Sequence, residues 1–287
     1  MVKKILAALD GTADSEAVLR HIRMLLKTLD VDVRIVNVAA NVKQAKAGKG
    51  YLRTAAVRWK EHFPYLDAEL LMGNPAEAII EQAVTQKFDL IAVATHARGT
   101  IGKFLFGSVT EDLLHTSPVP VFVARLDVKP ARFRSILVPL DGSARAKEIL
   151  PLAGELGRAA GGRLVLMMAV GDGQAKIAST HLLKAQREME ARGVEATVFA
   201  MPGRPVDQIL AVAAREKADL IAISTHGRTG SDRANFGSVT EAVLRRCPIP
   251  MLVNRTMGLM ERGRLRAKTA GLVTVLPHQS QAIGGRW

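Results

Sequence analysis

The residues best suited to chemistry stand close together in the last third of the chain. Ser224-Thr225-His226-Gly227 is followed by nine residues and then by Gly237-Ser238-Val239. Before them, Asp219-Leu220-Ile221-Ala222-Ile223 is a short apolar run, the pattern of a parallel strand buried on both faces. After them, Val239 to Arg245 reads as a helix. Strand, glycine-bearing loop and helix is a context in which a backbone can cradle a phosphate. Gly227 and Gly237 let the main chain approach a ligand closely and take φ > 0. A helix start offers unpaired N–H groups and the positive end of the dipole, and Ser238 adds a hydroxyl donor. The same spacing supports a plainer reading. Ser238-x-x-Glu241 is also a capping box, with Gly227 and Gly230 as turn glycines.

The chain repeats this arrangement. Asp89-Leu90-Ile91-Ala92 recurs as Asp219-Leu220-Ile221-Ala222, Thr95-His96 as Thr225-His226, and Phe106 through Glu111 as Phe236 through Glu241, each 130 residues on (219 − 89). A period that long is a duplicated domain rather than a solenoid. The Ser224 stretch resembles the nucleotide loop of the universal stress protein family. The family's ATP-binding members carry Gly, two residues, Gly, nine residues, Gly, then Ser or Thr. Gly227, Gly237 and Ser238 match, and Ser224 stands where the first glycine would be. The resemblance covers both halves, from about Val2 to Arg255.

This resemblance implies an α/β fold: two tandem doubly wound five-stranded parallel-sheet domains, adenine nucleotide α-hydrolase-like, with strand order 3-2-1-4-5. Strands one and four are then neighbours at the topological switch point, where open sheets bind ligands. The expected division is a first domain over 1–125 with a degenerate nucleotide motif and a linker over 126–133. A second domain with a near-complete motif follows over 134–255, and then a basic tail over 256–287 that reads as disordered.

The resemblance also assigns roles. Asp141, followed by Gly142, corresponds to the family aspartate near the adenine; its other reading is a turn or cap residue. Ala169 and Val170 would form apolar walls for the base, or plain core, and Met167 and Met168 read as core. Ser224, His226, Gly227, Gly237, Ser238 and Val239 complete the expected ATP site, which Mg can join through the phosphates. His96 and His226 read as loop histidines with local hydrogen bonds. No Ser, Cys or carboxylate partner stands at a catalytic spacing from them, and no His or Cys metal pattern is present. In the first half, Asp10 matches Asp141 and Gly107-Ser108 remain, but Ala94 and Ala97 replace the first two glycines. A Cβ at a φ > 0 position costs roughly 1–2 kcal/mol. The expectation is therefore ATP bound mainly in the second domain of a stress-response regulatory module that is not an enzyme. A non-nucleotide interaction module is the alternative, and slow ATP hydrolysis comes behind both.

The elements that must position these residues follow from length and pattern. The 287 residues suffice for two domains. Hydrophobic residues make up 48% and aromatics only 4%, so aliphatic side chains must fill the core. The expected strands of the first half are Lys4–Leu9, Val33–Ala39, Ala68–Leu71, Leu90–Ala94 and Val119–Ala124. A helix is expected over 13–29, a mobile loop over Asn41 to Gly50, a short helix from Tyr51 to Phe63, and helices opening at Pro75 and Ser108. The second half repeats this order from Ile136, with Gly161-Gly162 ending its first helix. The two fifth strands, Val119–Ala124 and Ile249–Asn254, would be exposed apolar edges unless paired. An intrachain pseudo-dimer is expected, and a homodimer stays open. The single Cys247 excludes an internal disulfide and fits a reducing compartment. No run approaches a membrane span, and a cytoplasmic protein without membrane insertion is expected. The net charge of +13 is scattered along the chain and partly in the tail, which fits a solvated surface better than specific nucleic-acid binding.

Overall fold

The computed structural model describes residues 2–26, 30–95, 107–126, 128–171, 173–226 and 237–256. In the first half, β1 (Lys4–Ala8), β2 (Asp32–Ala39), β3 (Leu66–Met72), β4 (Leu90–Thr95) and β5 (Val121–Arg125) alternate with α1 (Ala17–Leu26), α2 (Val42–Trp59), α3 (Pro75–Thr85) and α4 (Ser108–Thr116). The second half repeats the series. Its strands are β6 (Ser135–Leu140), β7 (Arg163–Val170), β8 (Ala196–Pro202), β9 (Leu220–His226) and β10 (Met251–Thr256), and its helices are α5 (Leu150–Ala160), α6 (Ala175–Glu190), α7 (Pro205–Arg215) and α8 (Ser238–Arg246). Each half has the expected order, and the halves join as one ten-stranded sheet, β3-β2-β1-β4-β5-β10-β9-β6-β7-β8.

Burial explains the strand sequences. Every residue of β6, from Ser135 to Leu140, is buried, so the strand reads as a continuous apolar run rather than an alternating one. Alternate residues feed two cores. Ile136, Val138, Leu220 and Ala222 pack with α5 and α6 on one face. Leu137, Ile221 and Ile223 pack with α7 and α8 on the other. Among the described residues, no helix is long and apolar enough to cross a membrane.

The fifth strands meet as expected. β10 pairs antiparallel with β5, with Met251 opposite Val123, Leu252 opposite Phe122 and Val253 opposite Val121. Pairing removes two apolar edges that would otherwise invite association. Residues 1–125 and 132–255, produced separately, are therefore expected to self-associate through these strands, and mixing them should give a heterodimer. Two monomers by sedimentation, indifferent to each other when mixed, would refute this.

Other contacts tie the seam. The buried His21 of α1 accepts, at Nδ1, the Ala131 N–H of the linker at 2.9 Å, and its ring lies 5.6 Å from Phe122. Arg125, only 1% exposed, donates from Nη2 to the Leu244 carbonyl. That carbonyl belongs to the last turn of α8, where orphan acceptors and the negative dipole end favour a cation. Burial lowers the Arg125 pKa to about 10.

One expected element is corrected. The expected loop Asn41–Gly50 and the helix after it form the single helix α2. Asn41 caps it, its Oδ1 accepting the Gln44 N–H at 3.0 Å, and Lys, Gln and Ala are good helix formers. The glycines that suggested a loop have a packing reason at Gly48. A Cβ there would run into the side chains of Asn37 and Leu70, so glycine lets α2 lie close on the sheet. The helix expected from 13, and its counterpart in the second half, also start later than expected. Asx turns at Asp10 and Asp141 delay α1 to Ala17 and place a 3₁₀ turn, Ala146–Ile149, before α5.

Candidate functional site

β6 and β9 are parallel neighbours, with Ile136 opposite Leu220 and Leu137 opposite Ile221. The chain leaves them in opposite directions across the sheet, β6 toward β7 and β9 toward β10. Beyond their carboxyl ends opens a crevice of about 690 Å³, lined from β6, β7, β9, α6 and the start of α8. Asp141, Gly142, Val170, Ser224, Gly237, Ser238 and Val239 all border it.

Asp141 holds its own turn. Its Oδ1 accepts the Ser143 N–H at 2.8 Å, and Ser143 Oγ accepts the Ala146 N–H at 3.0 Å. The turn role and a place at the crevice therefore coexist. Gly142 has φ +84°, and a Cβ there would sit 3.5 Å from Met168 Cε and 3.7 Å from His181 Cδ2. Its backbone demands glycine, and a Cβ would come into ordinary contact with these two crevice residues. Val170 is buried and Ala169 half-buried, and both line the crevice. Met167 and Met168 are core, at 1% and 8% exposure, and also line the crevice.

At the other wall, Ser224 is 9% exposed and its Oγ has no hydrogen-bond partner among the described residues. A hydroxyl buried without a partner carries a real desolvation cost. Gly237 is the residue before α8, with φ +23° and no side-chain cap on the helix. The capping box does not form. Ser238 is already the first helical residue, and Glu241 accepts from Arg245 Nε at 3.0 Å instead of reaching back. The first N–H groups of α8 lack intrahelical partners by the geometry of a helix start, and Ser238, Val239 and Thr240 border the crevice there.

The backbone of His226 closes β9 opposite Thr256. The His226 side chain lies outside the described residues, as do Gly227, His96, Ala97 and the tail after Thr256. His181 also borders the crevice, and sequence reasoning missed it. Its only signal was a lone histidine on the inner side of an expected helix, four residues after Ile177, another crevice residue.

The first half departs at the matching place. Asn37 occupies the β2 position that corresponds to Met168 in β7, 131 residues later (168 − 37). Its Nδ2 donates to the Leu9 carbonyl at 2.8 Å, and Gly48 lets α2 pack onto its Oδ1. The Tyr51 hydroxyl lies 3.2 Å from both the Thr12 carbonyl and Glu16 Oε1. Burial raises the Tyr51 pKa to about 12. Arg58 and Trp59 bind the same buried Glu16, at 2.7 Å each. α2 is thus clamped to the turn after β1, whereas α6 presents His181 to an open crevice.

Fold and site together define a tandem doubly wound α/β protein with a crevice at the switch point of its second half. The sequence profile of the Universal stress protein family matches residues 1–125 and again 132–255, and the chain belongs to that family. A universal stress protein of Mycobacterium tuberculosis is 24% identical over 233 residues, which span 76% of this chain and 75% of that one. The crystal structure of a universal stress protein from Archaeoglobus fulgidus superposes with TM-score 0.71 at 24% identity, covering 89% of this chain and 99% of that one. A putative universal stress protein from Pseudomonas aeruginosa gives 0.71 at 17%, covering 95% and 98%.

Proposed function

We propose that the protein is a stress-response regulatory module that binds adenine nucleotide, ATP in particular, in the second domain. The observation that carries this reading is the crevice itself. It has an apolar floor on β7, an aspartate turn at β6 and a glycine-led helix start whose serine is not used as a cap. The base would lie against Ala169 and Val170 near Asp141 and Gly142. The phosphates would meet the N–H groups of Ser238 and Val239, with Mg joining through the phosphates. In this reading His226, at the end of β9, and Gly227 after it complete the ligand site. The first domain, with α2 clamped over its strand ends, holds nucleotide weakly or not at all and serves as the packing partner of the second. The proposal assigns ATP a binding role.

Thermal unfolding with and without Mg-ATP tests this. Ligand at about 100 times its Kd stabilises a native state by about 2.7 kcal/mol, so a clear rise in Tm is expected. An unchanged Tm at millimolar Mg-ATP and AMP would count against nucleotide binding. His181→Ala is expected to weaken binding about two- to tenfold through loss of a ring contact of about 0.5–1.5 kcal/mol.

A further inference from the structure

We propose that Ser224 is a specificity residue that hydrogen-bonds the nucleoside half of the ligand rather than its phosphates; this rests on the nucleotide reading above. The motif places glycine at this position, where no side chain could contribute. This chain has a hydroxyl there instead, over nine-tenths buried, without a hydrogen-bond partner among the described residues, and bordering the crevice. A group so placed is satisfied by what fills the crevice.

Strand periodicity says which part of the ligand it meets. Side chains two apart along a strand share a face. Ser224 shares its face with Leu220 and Ala222, which pack in the core beneath α5 and α6. Ile221 and Ile223 face α7 and α8, and Thr225 shares their side. The Ser224 hydroxyl therefore opens toward the layer that carries Met168, Val170 and Ala178, where the base and sugar are expected. The helix start that would take phosphates lies on the opposite layer. A serine hydroxyl both donates and accepts, so it suits a ribose hydroxyl or ring oxygen. The corresponding first-half residue is Ala94, 130 positions earlier (224 − 94), which offers no such group.

Isothermal titration of adenosine and of Mg-ATP into the full-length wild type, Ser224→Ala and Ser224→Gly tests the assignment. Both substitutions are expected to weaken adenosine and Mg-ATP alike, by about three- to tenfold, the worth of one neutral hydrogen bond. The proposal is overturned if Ser224→Gly binds as tightly as wild type or tighter. It is also overturned if the loss is confined to Mg-ATP, since the hydroxyl would then serve the phosphates. If wild type binds neither ligand, the nucleotide reading fails and this assignment falls with it; binding by wild type with unchanged variants sinks the assignment alone. Circular dichroism melts of the variants separate a folding defect from a lost contact, and Ser224→Thr, which keeps the hydroxyl, is expected to bind more tightly than Ser224→Ala.

Discussion

Gly142→Val is expected to remove most nucleotide binding, whereas Gly11→Val should leave both affinity and stoichiometry unchanged. The two glycines are counterparts in the two halves, each directly after the aspartate that ends the turn of its first strand. Both have positive φ, +95° at Gly11 and +84° at Gly142. A β-branched residue is strained at either site, at roughly 1–2 kcal/mol of stability or more. The strain is shared, so it cannot by itself separate the variants. What differs is the surroundings. At Gly142 the new side chain meets Met168 and His181, which border the crevice, while at Gly11 the nearest group is Asn37 Nδ2 at 3.9 Å. Valine at 142 would add bulk beside these crevice residues and strain the turn that Asp141 holds. A binding loss of tenfold or more is expected, about 1.4 kcal/mol or more. Titration of Mg-ATP should give one site per chain in wild type and in Gly11→Val. Two equal sites in wild type would refute the assignment of one site per chain, and loss of binding with Gly11→Val alone would reverse the assignment of domains.

Much of this was legible in the residues. Asp89-Leu90-Ile91-Ala92 and its copy at 219–222 announced a duplication, and β strands between helices left few topologies. The pairing of the fifth strands followed from two apolar edges that needed covering. The Asn41–Gly50 segment was misread because composition was weighed without tertiary context. Gly48 looks like a loop glycine until Asn37 and Leu70 are seen beneath it. The closure of the first half was invisible for a related reason. It depends on Tyr51, Arg58 and Trp59 converging on Glu16 across more than 30 residues, and no local motif encodes that. Likewise, Ser224 reads in the sequence only as a departure from a glycine pattern, and its burial without a hydrogen-bond partner among the described residues appears only in the structure.

Stability is expected to fall as pH drops from about 6.5 toward 4, with His21 responsible for a large share. His21 lies in the seam between the halves, and burial, with a smaller effect from Arg20, lowers its pKa from 6.5 to about 4 despite a hydrogen bond to the Arg125 backbone. Its Nδ1 accepts from Ala131, so the folded state needs the neutral ring with its proton on the other nitrogen. Between these two pH values the unfolded chain binds a proton that the folded chain refuses. Stability therefore rises with pH across the window and is complete above about 7. The full span is about 3 kcal/mol, and about 2 kcal/mol of it should be lost by pH 5. Asp219 works in the opposite direction. Burial raises its pKa, so its contribution favours the folded state more on the acid side. Comparison with His21→Gln cancels that term, because both chains carry Asp219. Glutamine can still accept the Ala131 N–H but cannot titrate. Urea midpoints at pH 7 and pH 5 should therefore separate widely for wild type and much less for His21→Gln. Parallel losses in the two proteins would show that the linker contact does not govern the acid limb.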